Sequence, residues 1–230
     1  MLLGLGADIH GNLPALERTL AAMERAGVEE ILLAGDFTGY YYHTAAVLQR
    51  LKSFPVVAVR GNHESALERW LTGDGREAYH RRYGSSLEVA EQELTARQRA
   101  YLNDLPAALT IVRGGTTISM AHATPNSETD YLYPDADRGA LRAFEEYPAN
   151  LWVVGHTHYP AVWRTEHGML VNPGSIGQQR CRRPGAHWAT FDTTSGSVVF
   201  HTTDYEPSEL IRECVQRDPH VPYLHEVLRR

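Results

Sequence analysis

The chain has 230 residues, 43% of them hydrophobic and 22% charged, and a formal net charge of −6. This composition is typical of a globular protein, and the acidic balance argues against a protein that coats long nucleic acid. No apolar run approaches the about 20 residues that span a bilayer, the first residues lack the basic start of a signal peptide, and the two cysteines form no disulfide framework or zinc pattern, so we expect a cytoplasmic protein with no membrane partner.

The first third of the chain alternates short apolar runs with amphipathic segments. Asn12 and Pro14 are typical of a helix start, and Gly27 of a helix end. The strands predicted here are 2–5, 30–34 and 55–59, and the helices are 13–26 and 44–52. This alternation predicts βαβ units and a mostly parallel sheet.

The rest of the chain predicts a helical insert, more strands and a helical tail. The insert covers about 65–105, and Thr95 caps its last segment. The remaining predicted elements are a hairpin (109–113 and 117–121), a polar loop (125–138), a helix (139–146), strands at 151–154, 161–166, 169–172, 187–192 and 198–203, and short helices after Pro207 and Pro219 in a tail over 207–230. We expect a single domain over 1–230.

Polar clusters directly follow five of the predicted strands. They are Asp8-x-His10, Gly35-Asp36, Gly61-Asn62-His63-Glu64, His122 and His156-x-His158. Ligands bind outside the carboxyl ends of the strands in open α/β sheets, so we expect these side chains at one edge. Apart from His63 and Glu64, the clusters contain two aspartates, one asparagine and four histidines and no cysteine, a set that suits Mn²⁺, Fe, Zn²⁺ or Co²⁺. Seven ligands are too many for one such ion but fit two ions that share a carboxylate.

Each cluster taken alone has a simpler interpretation. The Asp8 loop and the Gly61–Glu64 segment are also patterns that cap helices, and a histidine pair after a strand often binds nothing. Gly4-x-Gly6 lacks the third glycine of a dinucleotide fingerprint, because Ile9 stands in its place. The metal interpretation therefore depends on the joint occurrence of the five clusters. The other histidines show no such pattern, and we expect most of them at the surface.

In this order the clusters resemble the calcineurin-like metallophosphoesterase superfamily, whose pattern is D-x-H, GD, GNH-[DE], H and GHxH. The resemblance covers residues 1 to about 200, includes the Asn172–Ile176 loop, and is strongest to compact prokaryotic phosphodiesterase-type members. It implies an α/β fold of two β-sheets packed face to face and flanked by helices, with a dimetal site at the strand ends.

The resemblance also implies a role for each cluster. One ion would be held by Asp8, His10, Asp36 and His158, and the other by Asp36, Asn62, His122 and His156. Mn²⁺ is the expected metal, with Fe, Zn²⁺, Co²⁺ and Ni²⁺ as alternatives. A metal-activated hydroxide would attack phosphorus, His63 would protonate the departing oxygen, and Asn62 would contact a phosphoryl oxygen.

The substrate is less constrained by the sequence. Protein phosphatases of this superfamily extend the second cluster to GDxVDRG, which this chain lacks, so a small phosphodiester or nucleotide-type substrate is expected. Phosphomonoesters and dinucleoside polyphosphates are alternative substrates, and a non-catalytic scaffold, disfavoured by the complete ligand set, is an alternative of a different class. The side chains considered as substrate contacts are Tyr40, Tyr41, Tyr131, Tyr133, Arg180, Arg182 and Arg183. Each of these arginines and tyrosines equally fits a solvated loop, and the oligomeric state has no signature in the sequence.

Overall fold

The computed structural model describes residues 1–230 and contains two five-stranded mixed β-sheets. The strands are β1 (Leu2–Gly6), β2 (Glu30–Leu33), β3 (Val56–Ala58), β4 (Ala108–Arg113), β5 (Thr116–Ala121), β6 (Leu151–Val153), β7 (Ala161–Arg164), β8 (Met169–Asn172), β9 (Ala186–Asp192) and β10 (Ser197–Thr203). Their orders are β10-β9-β1-β2-β3 and β4-β5-β6-β8-β7. In each sheet three neighbouring strands are parallel: β1, β2 and β3 in one, and β5, β6 and β8 in the other.

Nine helices flank the sheets. They are α1 (Leu13–Arg25), α2 (Thr44–Leu51), α3 (Asn62–Leu71), α4 (Arg76–Tyr83), α5 (Ser86–Glu93), α6 (Ala96–Asn103), α7 (Arg138–Glu145), α8 (Ser208–Arg217) and α9 (Tyr223–Glu226), followed by a 3₁₀ turn, Val227–Arg229. The Asn12 side chain accepts a hydrogen bond from Ala15 N, and Thr95 caps α6, as the sequence predicts. None of these helices is long and apolar enough to cross a membrane.

The two sheets share one apolar layer. Leu3 and Leu5 of β1 and Met120 and Val153 of the second sheet are completely buried in the same cluster. Burial of each such side chain contributes about 1.5–3 kcal/mol. Because side chains alternate along a strand, Gly4 lies on the opposite face, where an added Cβ would stand 3.1 Å from Met23 Sδ of α1.

Helices cover the outer face of each sheet and complete a layered α/β/β/α arrangement. Helix α1 packs on the first sheet through Leu16 and Leu20, and α7 packs on the second through Leu141 and Phe144. The two-sheet sandwich flanked by helices confirms the fold class predicted from the sequence.

Three details differ from the sequence prediction. The helical insert consists of four short helices, and the first begins at Asn62 rather than near 65, which puts Asn62 and His63 in its first turn. The last helix begins at Tyr223, after Pro222, and so starts three residues later than the predicted start after Pro219. His187 is only 1% exposed, so it is a core residue and not a surface one; its ring contacts Cys181 and the Arg183 carbonyl.

Candidate metal centre

The loops that follow the parallel strands of both sheets meet at one place. Asp8 N donates to the Gly35 carbonyl at 3.0 Å, which joins the loops after β1 and β2. Gly155 N donates to the His122 carbonyl at 2.7 Å, which joins those after β5 and β6. His156 N donates to Asp8 Oδ1 at 3.2 Å and so connects the two sheets. The predicted edge of the sheet is therefore shared by both sheets.

Five predicted ligands form the buried floor of this site. They are Asp8, His10, Asp36, His122 and His158, and none is more than 1% exposed. Asp36 Oδ2 lies 3.2 Å from His122 Nε2 and 3.7 Å from His10 Nε2. Asp8 Oδ1 lies 3.5 Å from His158 Nε2. Asp36 thus stands between two histidines for which the family resemblance implies different ions.

The floor histidines are oriented by backbone carbonyls. His10 Nδ1 donates to Thr38 O at 2.9 Å, His122 Nδ1 donates to Ala34 O at 2.7 Å, and His158 Nδ1 donates to the Gln178 carbonyl. Such bonds fix the tautomer of the neutral ring, so that the Nε2 atom of each ring is an acceptor on the side of the carboxylates. These carbonyls have no sequence signal, and sequence reasoning did not identify them.

While the imidazoles are neutral, the result is two groups of acceptors with no donor between them. His10 Nε2 and His158 Nε2 are 3.1 Å apart, beside Asp8, whose Oδ2 has no hydrogen-bond partner. His122 Nε2 lies 3.0 Å from Asn62 Oδ1 as well as near Asp36. Converging lone pairs away from water are unfavourable unless a cation or a proton lies among them. The residues present therefore fit divalent metal ions.

The pKa values of the floor residues also indicate that the floor favours a bound positive charge. Burial raises the pKa of the Asp8 carboxyl to about 7. Burial also disfavours a charged His122, yet the carboxylates of Asp36 and Asp8 outweigh it and raise the pKa of His122 to about 10. A proton is thus retained where the chemistry of the donor set suits a metal cation.

His156 lies at the more open side of the floor. Its Nε2 donates to the Thr129 carbonyl at 3.2 Å, and its ring centroid is 5.1 Å from that of His122. This arrangement leaves Nδ1 as the acceptor, on the side chain predicted to complete the second ligand set.

Left-handed backbone conformations occur at the site and nowhere else among the non-glycine residues. The residues with positive φ are Asp8, His10, Asp36, Tyr40, His156 and His158, with φ between 52° and 66°. Each such conformation costs about 1–3 kcal/mol and persists only where the surroundings impose it. The strain turns each strand-end side chain towards a common centre.

Glu64 fixes the Asp36 loop to the start of α3. Its Oε2 accepts from Asp36 N at 2.9 Å and Gly61 N at 2.8 Å, and its Oε1 accepts from Phe37 N and Thr38 N. Asp36 Oδ1 in turn accepts from His63 N at 2.9 Å. The Gly61–Glu64 segment is therefore a helix cap, as its simpler interpretation held, and this cap also positions Asp36.

His63 stands over the floor, beside His10 and Asp36. Its ring centroid is 4.9 Å from those of His10 and Tyr40, and its Nδ1 lies 2.8 Å from the Tyr79 hydroxyl. Burial lowers the pKa of His63 to about 4, so the free imidazole is neutral. Tyr79 belongs to α4, in the helical insert, and its contact with His63 was not foreseen.

The tyrosines considered as substrate contacts divide between the site and the core. Tyr40 packs edge-on against His10, with ring centroids 4.6 Å apart. Tyr41 is completely buried and donates to the Leu224 carbonyl of the tail, so the expectation that it lines the pocket was wrong. The side chains of the successive residues Tyr40 and Tyr41 point in different directions, and only Tyr40 faces the site. Tyr131 and Tyr133 are exposed and stacked on each other, and Tyr131 lies 4.5 Å from the His156 ring.

The three arginines of the loop after β8 also differ. Arg180 is half-buried and its Nη2 donates to the Tyr40 hydroxyl at 3.0 Å. Arg182 and Arg183 are exposed, and their contact with substrate remains a prediction.

Residues 1–196 match the family model of the calcineurin-like phosphoesterase superfamily domain. The chain belongs to this superfamily. The resemblance seen in the sequence is thereby confirmed, and the chain is a phosphoric ester hydrolase of this family.

Individual proteins are similar to this chain in sequence or in structure. The chain is 35% identical over 213 residues to the phosphodiesterase YfcE of Escherichia coli, which covers 86% of this chain and 91% of that protein. It superposes on a metallophosphoesterase from Sphaerobacter thermophilus with a TM-score of 0.80 and 26% identity, over 100% of this chain and 98% of the other. A hypothetical protein of Pyrococcus horikoshii has a TM-score of 0.84 at 22% identity, over 99% and 97% of the chains, which shows a shared fold.

Proposed function

We propose that the chain is a dimetal phosphodiesterase that hydrolyses small phosphodiester or nucleotide-type substrates. The observation that carries this proposal is the pair of acceptor groups on either side of Asp36, each of which needs a cation or a proton among its lone pairs. One group alone would suit a single structural ion. Two groups that share a carboxylate are the arrangement that hydrolysis of a phosphoric ester uses.

Each ligand set combines side chains from both sheets. Asp8, His10, Asp36 and His158 would hold one ion, and Asp36, Asn62, His122 and His156 would hold the other. When bound, the two ions lower the pKa of a water and neutralise the phosphoryl oxygens. The chain itself keeps the floor dry and orients its imidazoles through the carbonyls of Thr38, Ala34 and Gln178.

His63 supplies the proton that the departing oxygen needs. Burial raises the pKa of the Tyr79 hydroxyl, so this group stays a neutral hydrogen-bond partner of His63 Nδ1 and leaves Nε2 free for the leaving group. Transfer of a proton from Nε2 requires the imidazolium form, which the negative charge of a bound phosphodiester favours, and it returns the ring to its neutral form. Asn62, in the first turn of α3, adds its amide to the contacts of a phosphoryl oxygen.

The proposal also covers the metal, the domain organisation and the cellular location of the protein. Mn²⁺ is the metal that we propose; the mixed set of oxygen and nitrogen ligands without thiolate suits it, as it also suits Fe, Zn²⁺ or Co²⁺. The chain is one domain over 1–230, since helices of the insert and β-strands bury side chains in the same cluster. Its two cysteines are free, which supports a cytoplasmic location.

The test is hydrolysis of bis-p-nitrophenyl phosphate and of p-nitrophenyl phosphate by protein stripped of metal and by the same protein after Mn²⁺ is restored. We expect a higher kcat/KM for the diester, and loss of both activities on stripping. Preference for the monoester would replace the proposal with a phosphomonoesterase. Restored protein that hydrolyses neither ester would contradict a general phosphodiesterase and favour a dinucleoside-polyphosphate hydrolase or a non-catalytic scaffold.

A further inference from the structure

Arg180 lies at the end of a loop that is fastened to the floor of the candidate centre. In this loop Gly177 N donates to the Asp8 carbonyl at 2.9 Å, and Ser175 Oγ donates to the same carbonyl at 2.8 Å. An added Cβ at Gly177 would stand 1.9 Å from Ile9 O, so the backbone here has no freedom to move away. The loop therefore holds Arg180 at a fixed place beside Asp8.

Tyr40 connects the Arg180 guanidinium to the imidazoles of the centre. The Tyr40 hydroxyl accepts from Arg180 Nη2 at 3.0 Å. The ring of the same tyrosine packs against both His10 and His63, with centroids 4.6 and 4.9 Å away. The guanidinium is thus one aromatic side chain away from the imidazole to which we assign the proton transfer.

No carboxylate neutralises Arg180. None of the ion pairs of the chain includes this residue, whereas the partly buried Arg60 and Arg113 each pair with a glutamate. Arg180 Nε is buried and has no hydrogen-bond partner. A guanidinium removed from water is normally paired, because desolvation of an uncompensated charge costs several kcal/mol.

The surroundings of Arg180 make an anion the missing partner. Beyond the effect of burial, its charge lowers the pKa of His158 and of His63, which places it within electrostatic reach of the floor. Its planar fork of N–H donors matches the oxygens of a phosphoryl group. Water alone would satisfy Nε but would leave the charge without a counterion.

We propose that Arg180 forms an anion subsite beside the metal centre, which binds a phosphoryl oxygen of the substrate, and that Tyr40 orients its guanidinium. The inference rests on the proposed function in that the phosphate comes from an ester held at the same centre. It identifies one arginine of the loop as a substrate contact, and it favours substrates with a charged phosphoryl oxygen directed away from the floor towards Tyr40.

The direct test is binding of inorganic phosphate to the Mn²⁺-loaded protein, measured by calorimetry. Arg180→Met keeps the length of the side chain and removes the charge, so we expect phosphate binding to weaken about 10- to 100-fold, the effect of one charge-assisted hydrogen bond. Arg180→Lys should recover part of this loss, because it restores the charge without the fork. Arg164→Met, which removes an exposed arginine on edge strand β7, should bind phosphate like the wild type.

Steady-state kinetics with bis-p-nitrophenyl phosphate distinguish a substrate contact from a structural brace. In Arg180→Met we expect KM to rise by a similar factor, with the number of bound Mn²⁺ ions unchanged. Unchanged phosphate binding, or phosphate binding lost together with Mn²⁺, would overturn the inference and make Arg180 a support for Tyr40. Failure of the wild type to hydrolyse the ester would contradict the proposed function, and the calorimetric comparison would still decide the role of Arg180.

Discussion

The buried floor of the centre and its exposed rim are built by opposite means. The floor consists of Asp8, His10, Asp36, His122 and His158, and the rim of Tyr131, Tyr133, Arg182 and Arg183. In the floor, backbone carbonyls fix the three histidine rings, and four of the five residues have left-handed backbone conformations that persist only where the surroundings impose them. In the rim, Tyr131 is 54% exposed and Tyr133 45% exposed.

The floor and the rim therefore differ in how strongly the rest of the fold constrains them. The strained floor costs free energy that the two sheets and the cap of α3 must offset, so its geometry varies little. The rim carries no such constraint, and substitutions there change contacts without changing the fold. We therefore expect substitutions in the floor to affect catalysis and substitutions in the rim to affect the preference between substrates.

Asp36→Asn should have the largest effect, because it removes the shared charge of the floor. Asparagine retains an oxygen for the hydrogen bond from His63 N, so α3 keeps its cap. We expect turnover to fall at least about 10³-fold, the equivalent of several kcal/mol of charge stabilisation. Both metal content and kcat should be measured, with the exposed Asp104→Asn as the matched control. Two bound ions and normal turnover in Asp36→Asn would break the distinction between floor and rim.

His63→Ala should remove the proton donor and leave the metal ligands in place. For an alkyl phosphodiester, whose leaving group needs the proton, we expect kcat to fall about 10²- to 10⁴-fold. For a p-nitrophenyl ester the loss should be much smaller, since nitrophenolate leaves without protonation. The exposed His167→Ala is the control. Equal losses for the two leaving groups would show that His63 acts other than as an acid.

Glu64→Gln tests whether the cap of α3 supports the floor. Each carboxylate oxygen accepts from two backbone N–H groups, so in either orientation the amide NH₂ of glutamine faces two donors. We expect the free energy of unfolding to fall by about 1–3 kcal/mol, as measured by urea denaturation of the stripped protein. Glu88→Gln, at an exposed position of α5, should leave it unchanged. A Glu64→Gln protein as stable as the wild type would mean that the Asp36 loop holds without this support.

Replacement of Arg182 and Arg183 together by glutamine should have the smallest effect. Exposed charges contribute less than about 1 kcal/mol to an interaction in water. We expect KM to rise by a few-fold for substrates with several phosphates and to stay unchanged for bis-p-nitrophenyl phosphate. If the double variant has the same KM as the wild type for each of the two substrate types, these residues belong to a solvated loop and do not contact the substrate.

The sequence predicts the floor well because its residues follow strands. An apolar run ends at a fixed point, and the polar residue after it must lie at the carboxyl edge, so Asp8, Asp36 and His122 come together once the sheets form. The order of strands and helices predicts only βαβ units and a mostly parallel sheet, and the two-sheet sandwich was expected from the family resemblance.

The supporting residues have no comparable signature. The carbonyls of Thr38 and Gln178 are backbone groups that any residue would present. Tyr79 reaches His63 from a helix whose packing the local pattern does not specify. Arg180 is one of three arginines within four positions, and only the path of the loop directs it, and not Arg182, to Tyr40.

The central claim is that two cations satisfy the floor and that hydrolysis requires both. It is tested most directly by titrating stripped protein with Mn²⁺ while following bound metal per chain and turnover of bis-p-nitrophenyl phosphate. The account predicts that turnover rises with the second equivalent of metal and stops increasing once two ions are bound. Full turnover with one ion, or in the stripped protein, would contradict it.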